Sequence, residues 1–295
     1  MLSVNGLTKM YQQHQAVRNV SFDLEYQQCV ALLGPNGAGK TTTLQMLSGL
    51  LAPTSGGIRF LGKESINRLE IGYLPQHPAF FSWMTALEYM VFAARLSKMK
   101  RREALEKSRT ALRYVGLEKE EDRKIGGFSG GMKQRLGLAQ ALVHEPSLLI
   151  LDEPVSALDP AGRREVLDMM KDLKKKMTIL FSTHVLHDAE EVCDQVIMLK
   201  EGAVKWSGPL HRLKNRHFKP SYILTAEESL EGWLEHLPYV SKVVYQKPSQ
   251  AEFYLTDRSD SRRLLAECLS RQLSIVRFEQ KTMSLEDMYL KVMGL

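Results

Sequence analysis

The chain has 295 residues, 44% of them apolar and 25% charged, with a net charge of +6 and a pI of about 9.1. This is an ordinary folded composition, long enough for one large domain with an appendage or for two unequal domains. No apolar run approaches the ~18 residues of a membrane-spanning helix, and the opening Met1-Leu2-Ser3-Val4-Asn5-Gly6 lacks the basic-then-apolar pattern of a signal peptide. A cytoplasmic protein is expected, with any membrane association supplied by a partner.

Strand-like and helix-like segments alternate along the first two thirds of the chain. Residues 20–24, 30–33, 71–74, 148–151, 178–182 and 196–199 read as strands, and residues 41–50, 133–143, 162–174 and 185–192 as helices. Buried strands that each lead into a helix indicate an α/β sheet. Residues 85–125 contain no clear strand and read as a helical insertion, giving a helical subdomain over about 85–145. Near residue 215 the pattern changes. Residues 222–225 are strand-like, 229–236 helical, 242–245 and 252–255 strand-like, 261–270 helical, 275–278 strand-like and 284–292 helical. The order βαββαβ with a closing helix predicts a small α+β domain of split-βαβ, ferredoxin-like type. The expected organisation is therefore one domain over 1–215 and an accessory domain over 216–295.

Cys29, Cys193 and Cys268 are scattered and make no metal-ligand spacing, which fits a reducing compartment and small buried side chains. The basic surplus gathers in Lys98-Met99-Lys100-Arg101-Arg102, in Lys174-Lys175-Lys176 and between His211 and Lys219. Solvated helix faces account for it; nucleic acid or an anionic membrane surface is the competing reading.

Gly34-Pro35-Asn36-Gly37-Ala38-Gly39-Lys40-Thr41 matches Gly-x-x-x-x-Gly-Lys-[Ser/Thr], the phosphate-binding loop, between an apolar strand and an amphipathic helix. Glycines let the backbone wrap a phosphate without Cβ clashes, and the loop N–H groups and the helix dipole then face the anion. Lys40 adds a point charge on the outer phosphates, and the hydroxyl of Thr41, followed by Thr42, is placed to ligate Mg²⁺. Ser147-Leu148-Leu149-Ile150-Leu151-Asp152-Glu153 puts two carboxylates at the carboxyl end of a buried strand, where parallel sheets bind ligands. Asp152 is expected to hold Mg²⁺, directly or through water, and Glu153 to act on the attacking water as general base or polariser.

Upstream of that acidic strand, Phe128-Ser129-Gly130-Gly131-Met132-Lys133-Gln134-Arg135 resembles the signature motif of ABC ATPases, usually written Leu-Ser-Gly-Gly-Gln. Further pieces follow in that family's order over residues 1–208. Gln76 resembles the glutamine of the Q-loop, Ser156-Ala157-Leu158-Asp159 the D-loop, and His184 the switch histidine, while Tyr11 lies where the family stacks an aromatic on adenine. The resemblance implies a P-loop NTPase of ABC type that binds ATP and Mg²⁺. It also implies that Ser129, Gly130 and the Gly131 amide cap the γ-phosphate held by another subunit. Two subunits then sandwich two ATP molecules head to tail, a two-fold arrangement with Asp159 at its interface. His184 would hydrogen-bond the γ-phosphate, and Gln76 would sense γ-phosphate and Mg²⁺.

The segment from Phe80-Phe81-Ser82-Trp83-Met84 through Ala93 is rich in large apolar residues. It is either an ordinary helical core or, as the resemblance implies, the groove that receives a helix of an integral-membrane permease. Phe128 and Met132 depart from the family's usual Leu and Gln, but the Ser-Gly-Gly core stands. Gly131-Met132-Lys133-Gln134-Arg135 and the tail Met283-Ser284-Leu285-Glu286-Asp287-Met288-Tyr289 resemble the bacterial ABC-2 type exporters, which favours export over import. The expected partners are a permease and a second ATPase subunit, with homodimerisation and no nucleic acid. The alternative is a non-transport ABC ATPase acting on ribosomes or DNA. Those members usually carry two cassettes or long coiled-coil insertions, and neither is seen in this sequence.

Overall fold

Unbroken apolar sequence builds the centre of this fold. The computed structural model describes residues 1–216, 221–281 and 284–294, with 214–216 described by backbone alone. Residues 217–219 of the third basic run, and Met283 at the head of the tail motif, lie outside the described residues. The chain forms two units, Leu213–Met288 and a larger one made of Met1–Arg212 and the chain from Tyr289 onward.

The larger unit runs β1 (Leu2–Tyr11), β2 (His14–Leu24), β3 (Cys29–Leu33), α1 (Lys40–Leu47), β4 (Ser55–Phe60), β5 (Ile71–Leu74), α2 (Ala86–Leu96), α3 (Arg101–Tyr114), α4 (Gly130–Leu142), β6 (Leu148–Asp152), α5 (Pro160–Leu173), β7 (Thr178–Thr183), α6 (Leu186–Val192), β8 (Gln195–Lys200) and β9 (Ala203–Pro209), followed by α7 (Leu210–Arg216). Six strands form one sheet in the order β5-β6-β7-β3-β8-β9. It is parallel except for β9, which runs antiparallel to β8. Every residue of β3, β6 and β7 is buried, as expected of a parallel sheet covered on both faces. A second, antiparallel sheet has the order β2-β1-β4. Val4, Val17, Val20 and Phe60 of that sheet join Leu44 and Leu47 of α1 and Leu32, Ile150 and Leu180 of the central sheet in one core.

The strands β1, β4 and β9 are additions to the sequence reading. In β1 and β4 the apolar alternation is diluted by polar residues, glycines and register shifts, for example between Val4 and Leu7. Helix starts follow local chemistry. Thr85 and Glu88 close a reciprocal capping box on α2, and Ser129 Oγ accepts from Met132 N at the start of α4 (3.2 Å). Asp159 Oδ1 accepts from Gly162 N at the start of α5 (3.0 Å), with Pro160 in its first turn. Close packing sets α4 on β5: a Cβ on Gly72 would lie 2.2 Å from the carbonyl oxygen of Ala141.

The smaller unit runs β10 (Ser221–Ala226), β11 (Val240–Lys247), β12 (Gln250–Leu255), α8 (Asp260–Ser270) and β13 (Ile275–Lys281), then enters α9 (Leu285–Met293). Its four strands are antiparallel in the order β11-β12-β10-β13. Tyr222, Leu224, Ala251, Phe253, Leu264 and Cys268 form its core. The helix expected over 229–236 is absent as an α-helix; a 3-10 turn, Leu234–His236, takes its place. Gly232 adopts φ +83, which interrupts a right-handed helix, and Pro238 follows closely. Ser284 and Asp287 cap α9 reciprocally, giving the tail motif a local structural role. All three cysteines are free and buried, and burial pushes the Cys29 thiol far above its ordinary value.

Candidate functional site

The glycine-rich loop leaves β3 at its carboxyl end and enters α1 at Lys40. Gly39 takes φ +96, and a Cβ there would lie 2.5 Å from the carbonyl oxygen of Ala16. On Gly34 a Cβ would lie equally close to the carbonyl oxygen of Leu199. The backbone can follow this path only because both positions lack side chains. Ala38 N donates to Pro35 O (3.1 Å), and Gly202 N, in the β8–β9 turn, donates to Ala38 O (3.1 Å). Lys40 lies folded over its own loop, with Nζ 2.7 Å from Gly34 O and 3.2 Å from Pro35 O. Burial lowers the Lys40 pKa, and the charges of Glu153 and Asp152 oppose that shift. Gly37 and Asn36 complete the loop, and Thr41 and Thr42 follow Lys40 in the first turn of α1, with Thr41 exposed.

Asp152 ends β6 and is 1% exposed. Its Oδ1 accepts from Ser182 Oγ at 2.6 Å, and the same Ser182 oxygen accepts from Glu153 N at 2.9 Å. Ser182 therefore fixes both the first carboxylate and the backbone of the second. Glu153 adopts φ +51, where the chain turns out of the sheet. Its Oε2 is 2.8 Å from His184 Nδ1, which follows β7 and is more than half exposed. Parallel pairing puts Asp152 level with Ser182, so these groups meet at the same end of the sheet as the glycine loop.

The residues fit a hydrated Mg²⁺ shared with phosphates. Among the described residues no Lys or Arg forms an ion pair with the buried Asp152, and no cluster of three or more His, Cys, Asp or Glu makes an all-protein metal cage. Mg²⁺ ordinarily takes one or two carboxylates together with substrate phosphates, and Asp152 with Thr41 offers that donor set.

Gln76 is half-buried just past β5, whose Leu74 lies opposite Leu151 of β6. It therefore leaves the sheet beside the acidic edge. Tyr11 is exposed at the β1–β2 hairpin, with Lys9 Nζ 5.4 Å from its ring centre. Ser129 and Gly130 are exposed at the start of α4, a second helix N-terminus open to solvent. Gly131 packs beside Leu158 of the Ser156–Asp159 loop, where an added Cβ would be 3.2 Å from Leu158 Cδ2. Thus Lys40, Asp152, Glu153 and His184 gather in one place. Ser129, Gly130, Gly131 and Asp159 do not share hydrogen bonds or ion pairs with them among the described residues. Asp159 is engaged as the cap of α5.

Two further residues, outside the sequence motifs, act on Asp152. Ser182 is the polar end of an otherwise apolar strand, a pattern that could have flagged it. Tyr73 feels the same carboxylate's charge: burial, then the Asp152 charge, push its phenol up to about 12. Nothing local in the sequence marks Tyr73.

Along α2 and the start of α3 lies a groove of about 920 Å³ lined mainly by Trp83, Met84, Leu87, Val91, Phe92 and Leu96. Trp83 is 69% and Phe92 42% exposed. No helix among the described residues is long and apolar enough to cross a membrane.

Comparison with known proteins agrees with this geometry. Residues 17–156 match the ABC transporter family model, and residues 208–293 match the C-terminal domain of DrrA1-3-like ATP-binding proteins. The chain is 60% identical to the ABC transporter ATP-binding protein YxlF of Bacillus subtilis (strain 168), over 99% of each chain. It is 33% identical to the bacitracin transport ATP-binding protein BcrA of Bacillus licheniformis, over 100% of this chain and 97% of that one. Among solved structures it is similar to the dimeric ATP-binding cassette MJ0796 in a post-hydrolysis state bound to ADP and Pi. That likeness has a TM-score of 0.66 at 26% identity and covers 74% of this chain and 100% of that one. With its glycine loop, acidic strand end and signature turn in place, the chain belongs to the ATP-binding proteins of ABC transporters.

Proposed function

We propose that this chain is the ATP-hydrolysing subunit of an exporter, working as a head-to-tail pair on the inner face of the cell membrane through a separate permease. The observation that carries the reading is the Glu153–His184 contact beside the Ser182-fixed Asp152 and the Lys40 loop. Here the loop amides and Lys40 hold the phosphates; Asp152 and Thr41 would hold Mg²⁺, which would supply neutralising charge to the phosphate oxygens. Glu153 orients the attacking water and takes its proton, and His184, Gln76 and the adjacent Thr42 contact the γ-phosphate end. The adenine stacks on Tyr11.

The exposed helix start at Ser129, with the Gly130 and Gly131 amides, caps ATP on the second subunit. Asp159 faces that interface. ATP favours the closed pair to the extent that it binds the closed form more tightly. Export rather than import follows from the Gly131–Arg135 variant and the tail motif, supported by the match to bacitracin transport and DrrA-like proteins. The apolar groove at Trp83 and Phe92 receives the permease, and residues 216–295 form an accessory domain.

The test uses tagged Glu153→Gln protein in its native host, with membranes solubilised in mild detergent in ATP and Mg²⁺. A stoichiometric multi-spanning protein should co-purify. Recovery of ribosomes or nucleic acid instead would move the assignment to a non-transport ATPase.

A further inference from the structure

The loops that leave β6 and β7 are joined twice. One junction is Glu153–His184. The other lies where each loop becomes a helix: Arg163 Nη2 and Nε reach Asp188 Oδ1 at 2.6 and 2.8 Å. Arg163 stands four residues after Asp159, in the first turn of α5, and Asp188 four residues after His184, in the first turn of α6. Each loop is thus tied to the other at both of its ends.

The second junction matters because α6 has little else to fix its start. It is seven residues long, with Val185 at its N-cap and no side-chain cap. Among the described residues its local side-chain aid there is Thr183 Oγ1, which accepts from Val185 N (3.0 Å). Asp188 is 1% exposed, and its Oδ2 has no hydrogen-bond partner. A buried carboxylate with one oxygen unsatisfied is costly, and Arg163 is the cation that makes it tolerable. The neighbouring α4–α5 pair, Arg135–Glu165, differs in kind, because Glu165 is 54% exposed and can exchange its partner for water.

We propose that Arg163 and Asp188 are positioning residues for hydrolysis, an ion pair that sets the start of α6 and so holds His184 against Glu153. This rests on the reading of Glu153 and His184 as the hydrolytic pair. Neither Arg163 nor Asp188 touches the reacting atoms; both act through the histidine.

The experiment measures single-turnover ATP hydrolysis and ATP affinity for the full chain. The variants are Arg163→Met, Asp188→Asn, Arg163→Lys and Glu165→Gln, beside Glu153→Gln and His184→Ala. Arg163→Met and Asp188→Asn should each slow hydrolysis about tenfold or more with ATP affinity held within about twofold, and the double variant should lose no more than either single, the mark of a coupled pair. Arg163→Lys should recover part of the rate, and Glu165→Gln should behave as the unsubstituted chain. Arg163→Met strands the buried Asp188 charge, which by itself destabilises the chain. Arg163→Met combined with Asp188→Leu removes that charge and should regain thermal stability to within about 2 °C while hydrolysis stays slow. Recovery of the rate together with the stability would overturn the proposal, leaving the pair a merely structural one. Slow Glu153→Gln and His184→Ala beside a normal Arg163→Met would also overturn it. Glu153→Gln hydrolysing at the unsubstituted rate would instead remove the underlying reading, and the proposal with it.

Discussion

His184 Nδ1 sits 2.8 Å from Glu153 Oε2, the histidine more than half exposed and the glutamate buried. A ring nitrogen facing a carboxylate carries the hydrogen and donates it, which leaves Nε2 as the acceptor in the neutral ring. The acid is thereby oriented from its solvent side, while Ser182 fixes its backbone from within. Glu153→Gln keeps an oxygen that can accept from His184 and removes only the basicity. It should lower the hydrolysis rate by about 10²–10⁴-fold with ATP affinity unchanged. Phosphate release and equilibrium ATP binding check this together. An equal loss of affinity would mean that Glu153 binds nucleotide instead of acting on water.

Ser182 is the residue whose loss should disturb the most for the fewest atoms. Its hydroxyl donates to Asp152 and accepts from Glu153 N, and all three residues are buried. Ser182→Ala leaves a buried carboxylate oxygen and a buried N–H unpaired, a loss of about 1–3 kcal/mol. Urea denaturation of the nucleotide-free chain should show it. The hydrolysis rate should fall as well, because the backbone at Glu153, held at φ +51, loses its tether. Wild-type stability would show that water replaces the hydroxyl.

Lys40 has two roles, and one substitution removes both. Its Nζ ties the loop carbonyls of Gly34 and Pro35, and its charge waits for phosphate. Lys40→Ala should weaken ATP binding about tenfold or more, since charge-assisted contacts are the strong ones. Titration with a fluorescent ATP analogue reads this directly, and an unchanged far-UV spectrum would show that the fold is not what was lost.

What could be read from the sequence followed from how local each signal is. The glycine loop, the acidic strand end and the signature turn each combine a strand or helix boundary with special residues, so they were legible without the fold. The strands β1, β4 and β9 were not, because their apolar residues are spaced by polar ones and bulges, and only pairing across the sheet makes them strands. The helix expected over 229–236 has helical composition in its sequence, but Gly232 at φ +83 keeps it from forming, leaving only the 3-10 turn Leu234–His236. Ser182 joins the site through contacts with Asp152 and Glu153, about 30 residues away in the chain, that no window of sequence contains.

The groove of Trp83 and Phe92 offers a test independent of the nucleotide. Phe81 packs with ring centres 5.0 Å from Trp83 and, edge-on, 5.9 Å from Phe92, so the patch is a packed surface with its outer rings exposed. Exposed aromatics of this kind are characteristic of binding hot spots. Trp83→Ala with Phe92→Ala should leave ATP hydrolysis by the isolated chain within about twofold of the unsubstituted rate and abolish co-purification of the membrane partner, an interaction loss of about 2 kcal/mol or more. Retained co-purification would place the permease contact elsewhere.

Gly39 is where the shape of the phosphate loop can be tested apart from its charges. Its φ of +96 is a conformation that side chains rarely adopt, and a Cβ would lie 2.5 Å from the carbonyl oxygen of Ala16, a backbone atom at the β2 edge. The clash cannot be relieved by rotating a side chain, so either the loop or β2 must move. Gly39→Ala should cost about 1–3 kcal/mol in the nucleotide-free chain and weaken ATP binding, although every charged and hydroxyl group of the site remains. Gly37→Ala is the informative contrast: its φ is +78, yet an added Cβ meets nothing within 4 Å. The Gly37 variant carries strain without the clash and should be less damaged on both counts. Equal damage from the two would mean that backbone conformation alone, and not the close approach to Ala16, sets the loop's demand for glycine.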